Sequence, residues 1–188
     1  MPNIASELAA DAAAIESLLD RTFGDDRVQR TVYRLREGAL PVPGLSHVVR
    51  DRGAVVATLR FFPVRIDGTT PAILLGPLAV EPALQGQGLG RALIRHGLDE
   101  ARRLDKGICL VVGDPNYYRP FGFVAATPLG LTLPGPVEPE RFQAKEMLPG
   151  WLALARGPVL REDGLPRPAA PKPFARLVAW PKRQMRRR

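Results

Sequence analysis

The stretch from Leu74 to Leu104, LLGPLAVEPALQGQGLGRALIRHGLDEARRL, decides how the rest of the chain is read. Its first part, Leu74 to Val80, is apolar nearly throughout, the mark of a strand covered on both faces. Pro77 lies inside it and has no N–H to give a ladder, so Gly76-Pro77 predicts a bulge or a local loss of pairing. Backbone groups released in this way are free to bind something else. A helix should start at Gly88 or Leu89, because Leu89, Leu93, Ile94, Gly97, Leu98, Ala101 and Leu104 recur on one face. Gly107 is its stop signal. Between strand and helix, Gly86, Gly88 and Gly90 leave little bulk over the first turn, whose open N–H groups and dipole suit an anion. Arg91 sits in that turn with no acid beside it. A cation there opposes the dipole, which fits a bound anion, and a solvated arginine on an ordinary helix is an equal alternative. Gly-x-Gly-x-Gly is not the Gly-x-Gly-x-x-Gly of a dinucleotide fold, and Arg91 stands where a P-loop has Lys followed by Ser or Thr.

Working outward, 188 residues with 45% hydrophobic content suffice for one domain with a real core. The lone Cys109, inside the apolar run Ile108 to Val112, cannot form an internal disulfide and reads as a buried thiol rather than a nucleophile. No apolar run is long enough to span a membrane, and the alanine-rich start carries acids instead of a basic leader, so a cytoplasmic protein is expected. The net charge of +8 is uneven: from Arg161 onward nine Lys or Arg face Glu162 and Asp163. The high pI is therefore a property of the tail and does not argue that the body binds nucleic acid.

In chain order, Ala5 to Phe23 predicts a helix with Leu8, Ala12, Ile15, Leu18, Leu19 and Phe23 inward, capped by Ser6 and ended by Gly24, and Asn3-Ile4-Ala5 could be the remnant of a first strand. Asp26 to Glu37 predicts a second, with Val28, Val32 and Leu35 inward. Ser46 to Arg50 and Ala54 to Val64 read as strands joined at Asp51-Arg52-Gly53, and Asp67-Gly68 turns into the central strand. After the long helix, Gly107 to Val112 is a strand. Strand, helix, strand in this order implies a parallel pair with a right-handed crossover, and a bulge at Pro77 would splay it. Asp114-Pro115-Asn116 is a turn, Tyr117-Tyr118 opens a short helical turn, and Phe121-Gly122-Phe123 leads back into a strand. Leu129 to Leu133 and Trp151 to Arg156 read as the last strands, with a short helix or bulged segment over Arg141 to Leu148. Residues 161–188, with five prolines and a cluster of arginines, read as a largely disordered basic tail after a domain of residues 1–160. His47 and His96 read as structural, hydrogen-bonded residues, and no His, Cys and acid cluster has metal-ligand spacing, so no metal is expected.

Gln85-Gly86-Gln87-Gly88-Leu89-Gly90, following Leu78-Ala79-Val80-Glu81-Pro82, resembles the acetyl-CoA signature of the GNAT superfamily of N-acetyltransferases. Gly113-Asp114-Pro115-Asn116-Tyr117-Tyr118-Arg119-Pro120-Phe121-Gly122-Phe123 is similar to its later strand and turn, above all in the YhbS-like branch, whose usual Arg-Phe-Gly-Phe here reads Arg-Pro-Phe-Gly-Phe. The lower-specificity run from Arg141 to Gly150 points to the same branch. The resemblance implies a mixed α/β fold, with a mostly antiparallel twisted sheet flanked by helices and splayed at its central parallel pair. It implies acetyl-CoA as co-substrate and a small-molecule or peptide primary amine as acceptor, in a monomer or homodimer. The cofactor-binding residues it points to are Leu78, Ala79, Val80, Gln85, Gly86, Gln87, Gly88, Leu89, Gly90, Arg91 and Asn116. Asn116 has a plain turn role as its alternative. Backbone amides of Leu78 and Val80 would pair with the pantetheine arm and polarise the thioester.

Tyr118 matches the superfamily tyrosine four residues before the glycine of Gly-Phe, where a phenol can protonate the leaving thiolate. A packing aromatic is the alternative. Glu81 is the best-placed carboxylate for a general base, with a structural role or water-mediated deprotonation as equal readings. No Ser-His-Asp or Cys-His set suggests a covalent intermediate, which favours direct transfer in a ternary complex. The superfamily's first two helices border the acceptor site, so Tyr33 and Arg36 could line it, or could be surface residues of an amphipathic helix. Two further classes compete: an acyl-CoA sensor without turnover, and a nucleic-acid or membrane contact made through the basic tail.

Overall fold

The computed structural model describes residues 2–163 apart from 25, 26, 29 and 30. Of the predicted tail, residues 161–188, only Arg161 to Asp163 lie among them, and Arg161 is the last residue of a strand. Among the described residues there are nine strands: seven follow the order β1-β2-β3-β4-β5-β8-β6, and β9 pairs β3 and β7. Here β1 is Ile4–Ser6, β2 Ser46–Asp51, β3 Ala54–Ile66, β4 Thr70–Val80, β5 Ile108–Val112, β6 Val124–Ala125, β7 Leu131–Thr132, β8 Phe142–Glu146 and β9 Gly157–Arg161. The helices are α1 (Ala12–Phe23), α2 (Thr31–Arg36), α3 (Leu89–Arg103) and two single turns, α4 (Pro115–Tyr118) and α5 (Trp151–Leu154). This is the expected mixed sheet: β4 and β5 are parallel, and the pairs along β1 to β4 and β5 to β8 are antiparallel.

The hairpin from β2 to β3 turns on Arg52 and Gly53, both at positive φ, which twists with the strands. β3 and β4 then pair nearly end to end. Leu59 stands opposite Leu78 and Phe61 opposite Leu75, so Gly76 and Pro77 together face Arg60 alone. This is the bulge that Pro77 predicts. The Gly76–Pro77 peptide is cis. On its other edge β4 pairs with β5 only at Ile73–Cys109 and Leu74–Leu110. Beyond Leu74 the two strands part, and the gap between them is the mouth of a cleft.

Two helices cover opposite faces, because successive strand residues point to opposite sides. α1 packs Ile15, Leu18 and Leu19 against Val48, Val55 and Ala79. α3 packs Leu93, Ile94, Leu98 and Ala101 against Val49, Leu59 and Phe61. A Cβ on Gly97 would stand 2.6 Å from the Phe61 ring and 3.1 Å from Leu59, so only glycine lets α3 sit this close to β3.

Five expected elements differ. The first helix begins at Ala12 rather than Ala5, because Ile4–Ser6 pairs with β2 as an edge strand; Ser6 is spent there, and the Asp11 carboxylate accepts from the Leu8 N–H at 2.7 Å instead. Leu8 is 60% exposed, not inward. The second helix is a short one, Thr31–Arg36, and Val28 is 57% exposed. Phe142–Glu146 is a strand, not a short helix or bulge, because β5 needs a partner on its free edge and takes five residues of it. Trp151–Leu154 is a helical turn, not a strand: Trp151 lies across Gly107, where no Cβ could stand, and the closing strand follows at Gly157–Arg161. Leu129 to Leu133 is strand only at Leu131–Thr132.

His47 on β2 is buried against His96 on α3, ring centroids 4.6 Å apart. Neither of its ring nitrogens has a hydrogen-bond partner among the described residues, so the expected hydrogen bond is absent. Burial, then the neighbouring His96, push its pKa down to about 4, against a small opposing pull from Glu100.

Gly97→Val should cost about 1–3 kcal/mol by overpacking, read as a lower urea midpoint with unchanged m-value; an unaltered midpoint would contradict the close α3–β3 contact. His47 supplies a second expectation. Its folded pKa lies below its unfolded one, so its stability contribution is complete above about pH 6.5 and is lost as pH falls toward 4, at roughly 2–3 kcal/mol in all. His47→Leu should flatten that loss in urea melts across this window, and an unchanged slope would refute the burial argument.

Candidate functional site

Where β4 and β5 part, the chain encloses a cleft of about 1240 Å³. Its walls are Leu75 to Leu78 and Val80 of β4, Gly88 to Arg91 at the start of α3, and Val112 to Asp114 with Tyr117 and Tyr118. Thr31 to Arg34 and Arg36 close one end, and Pro136 to Glu138 with Arg141 form the rim. The Thr31 hydroxyl donates to the Pro136 carbonyl at 3.2 Å and ties these last two pieces together.

The start of α3 is built to receive an anion. Its N-cap is Gly88, left-handed at φ 85°, and no side chain caps the helix. The first intrahelical bond runs from the Ala92 N–H to the Gly88 carbonyl, which leaves the amides of Leu89, Gly90 and Arg91 pointing out of the helix end. No acid lies in the first turn to occupy them. Gly86 and Gly88 serve conformation, since each has positive φ and open space where a Cβ would stand. Gly90 serves space: a Cβ there would lie 2.5 Å from the Tyr117 hydroxyl. The Gln85 amide donates to the Val80 carbonyl at 3.2 Å and fastens the loop to the end of β4.

Of the residues singled out for cofactor binding, the cleft wall contains Leu78, Val80, Gln85, Gly86, Gly88, Leu89, Gly90 and Arg91. Ala79 points to the opposite face, buried against α1, as strand alternation requires. Gln87 and Asn116 are exposed and stand outside the wall. The Asn116 N–H bonds to the Asp114 carboxylate at 2.9 Å, the turn role that competes with a ligand role.

Two tyrosines meet beside the gap, their rings edge to face at 5.2 Å. Tyr118 is only 8% exposed, packed on Gly113 and on Phe123 at 5.7 Å. Burial pushes its phenol well above the ordinary range, with Tyr117 and Cys109 adding to the shift and Arg141 opposing it. It is a neutral phenol at every physiological pH and so a proton donor. Tyr117, which the sequence places only in a helical turn, reaches to Gly90; burial raises its phenol too, against a pull from Arg91. Nothing in the sequence marks that contact except the missing Cβ at Gly90.

Glu81 follows β4 but is not part of the cleft wall. Both its oxygens accept from Arg21 of α1, with Nη2 at 2.8 Å and Nε at 3.3 Å. Cys109 is fully buried, and burial drives its thiol well above the ordinary value, as expected of a core cysteine. Among the described residues no three His, Cys, Asp or Glu stand together as a metal cluster, and no helix is long and apolar enough to cross a membrane.

Arg36 is 8% exposed and lines the cleft. Its Nε donates to the Val32 carbonyl at 2.9 Å, and its guanidinium lies 4.3 Å from the Tyr33 ring and 5.6 Å from Phe62. Burial pushes its pKa down to about 10; Tyr33 works against this, and the cations Arg27 and Arg60 work with it.

Residues 12–123 match the acetyltransferase (GNAT) family. The chain is 33% identical over 142 residues to the uncharacterized N-acetyltransferase YhbS of Escherichia coli (strain K12), covering 75% of this chain and 84% of the relative. The crystal structure of Escherichia coli YhbS in complex with CoA superposes with a TM-score of 0.75 at 32% identity, over 87% of this chain and 91% of that one. A GNAT family acetyltransferase from Brucella melitensis, in complex with acetyl-CoA, gives 0.65 at 30% identity, over 87% and 97%.

Proposed function

The chain belongs to the acetyltransferase (GNAT) family, and from that premise we propose how its cleft divides the work of acetyl transfer. It is an N-acetyltransferase that takes its acetyl group from acetyl-CoA. The observation that carries the assignment of roles is the uncapped start of α3, with Arg91 and no acid, at the mouth of the gap between β4 and β5.

The amides from Gly86 to Arg91 hold the diphosphate, where the dipole and Arg91 both favour negative charge. The gap takes the thin pantetheine arm. Leu78 and Val80 lie beyond Leu74, where β5 no longer pairs with β4, and face the gap with backbone. The Leu78 amide is placed to stabilise charge that develops on the thioester oxygen. The acceptor nitrogen attacks the acetyl carbon directly, the carbon–sulfur bond breaks, and Tyr118 gives its proton to the sulfur. The acceptor is a small-molecule or peptide amine. Glu81 serves structure: its ion pair with Arg21 pins the end of α1 to the end of β4. The amine loses its proton to water. Acetyl-CoA is a metabolite of the cell interior, which supports a cytoplasmic enzyme.

Tyr118→Phe should lower kcat about a hundredfold while leaving the acetyl-CoA Kd within about threefold, by thiol release and calorimetry; an unchanged kcat would remove Tyr118 as the acid. Glu81→Gln should lower kcat less than tenfold, and a loss as large as that of Tyr118→Phe would restore it as the base. Gly90→Val should raise the acetyl-CoA Kd by about tenfold or more, since a charge-assisted hydrogen bond is at stake. Unweakened binding would place the diphosphate elsewhere.

A further inference from the structure

Among the described residues, the buried Arg27 and the half-buried Arg60 are given carboxylates. Arg27 bonds Glu16 at 2.8 Å and Asp20 at 2.7 Å. Arg60 bonds Glu7 at 2.7 Å and reaches Glu16 at 3.5 Å. Among the described residues Arg36 has none: its Nε donates to a backbone carbonyl, and its Nη1 is buried without a partner. The hydroxyl of Tyr33, stacked against it, is buried and unpartnered too. Leaving a buried cation and a buried hydroxyl unpaired is costly. Stacking on Tyr33 and Phe62 offsets part of that cost and supplies no acceptor for the N–H groups.

Both orphaned groups belong to residues that line the acetyl-transfer cleft, and the same two residues also border a smaller cavity beside Arg27 and Arg60. The location is narrower than that. A Cβ built on Gly76, in the bulge, would stand 3.8 Å from Arg36 Nη1 and 3.8 Å from the Leu78 amide nitrogen. The free end of the guanidinium and the amide assigned to the thioester therefore both lie beside the bulge at Gly76. A group that satisfies Nη1 there lies only a few bonds from an amine placed to attack. The planar fork of a guanidinium matches a planar carboxylate with two parallel hydrogen bonds.

We propose that Arg36, with the Tyr33 hydroxyl, recognises the acceptor, and that the acceptor is a primary amine carrying a carboxylate a few bonds from its nitrogen, as a free amino acid does. The inference rests on the acetyl-transfer reading above and narrows its acceptor.

The test is thiol release from acetyl-CoA with the free amino acids, each paired with its decarboxylated amine, and with aminomethylphosphonate beside glycine. Calorimetry with acetyl-CoA alone is run alongside. The proposal expects the carboxylated member to exceed its partner in kcat/KM by about a hundredfold. Arg36→Gln should erase that gap through the acceptor KM while the acetyl-CoA KM stays unchanged, and Arg36→Lys should recover part of it. Binding of the probe N-acetylphenylalanine, read as a thermal shift against N-acetylphenethylamine, gives a measure independent of turnover. Wild type and Arg36→Lys should prefer the carboxylate, and Arg36→Gln should not. Equal use of the decarboxylated amines overturns the proposal. So does an Arg36→Gln loss shared by both members of a pair, better use of the phosphonate, or the absence of a carboxylate preference in the thermal shifts. Failure of acetyl-CoA itself to bind would instead overturn the parent reading.

Discussion

The organising constraint is a break in hydrogen bonding along one strand. Pro77 has no N–H, and Gly76 and Pro77 together oppose one residue of β3. On the other edge only two residue pairs join β4 to β5 before the strands separate. A sheet that stayed zipped through Val80 would have a continuous core and no cleft. Because it opens, strand backbone faces a cavity in the middle of a well-packed domain. The rest of the sheet makes the opening tolerable: β3 holds β4 nearly end to end, and β8 braces β5 over its full five residues.

The same crossover that builds the parallel pair delivers the second half of the site. α3 must return from the end of β4 to the start of β5, so its N-terminus lies at the open end of the pair by topology alone. Its position over the sheet depends on Gly97 meeting Phe61, and its exposed amides depend on glycines at two left-handed positions. Packing at one end of the helix and conformation at the other thus serve one result. Tyr117, lying over Gly90, and Tyr118, lying under Gly113, then close the third side of the gap.

What could be read from the sequence was whatever rests on local chemistry. Pro77 announced the bulge, Arg52-Gly53 the hairpin, and the spacing from Leu89 to Ala101 the buried face of α3. Residues whose role depends on distant partners gave no such signal. The alanines before Ala12 favour a helix from Ala5 while Asn3-Ile4-Ala5 also reads as a strand remnant, and only the edge of β2, which pairs Ile4–Ser6, decides between them. Phe142–Glu146 looked helical until β5 needed a partner. Glu81 looked like a base by its place after β4, and only the fold brings Arg21 to it. Arg36 reads either as a wall of the acceptor site or as a surface residue, because arginines on two sides of a helix carry no sign of which one is buried. Its burial follows from α2 folding down onto Phe62 and the rim at Pro136.

Charge in the cleft bears on how an amine comes to react there. Arg34, Arg36, Arg91 and Arg141 line it, against Asp114 and Glu138. Asp114 is already engaged in capping α4. The balance is positive, which attracts a polyanionic co-substrate and concentrates it at the mouth. The same field disfavours an ammonium ion relative to the free amine, as any nearby cation does. On the mechanism proposed above, in which water takes the proton, this field favours the free amine, and the reaction needs less from a dedicated carboxylate. On this reading the engagement of Glu81 with Arg21 is no defect of the site. A carboxylate freed into the cleft would lower the positive potential on which both the co-substrate and the neutral amine depend.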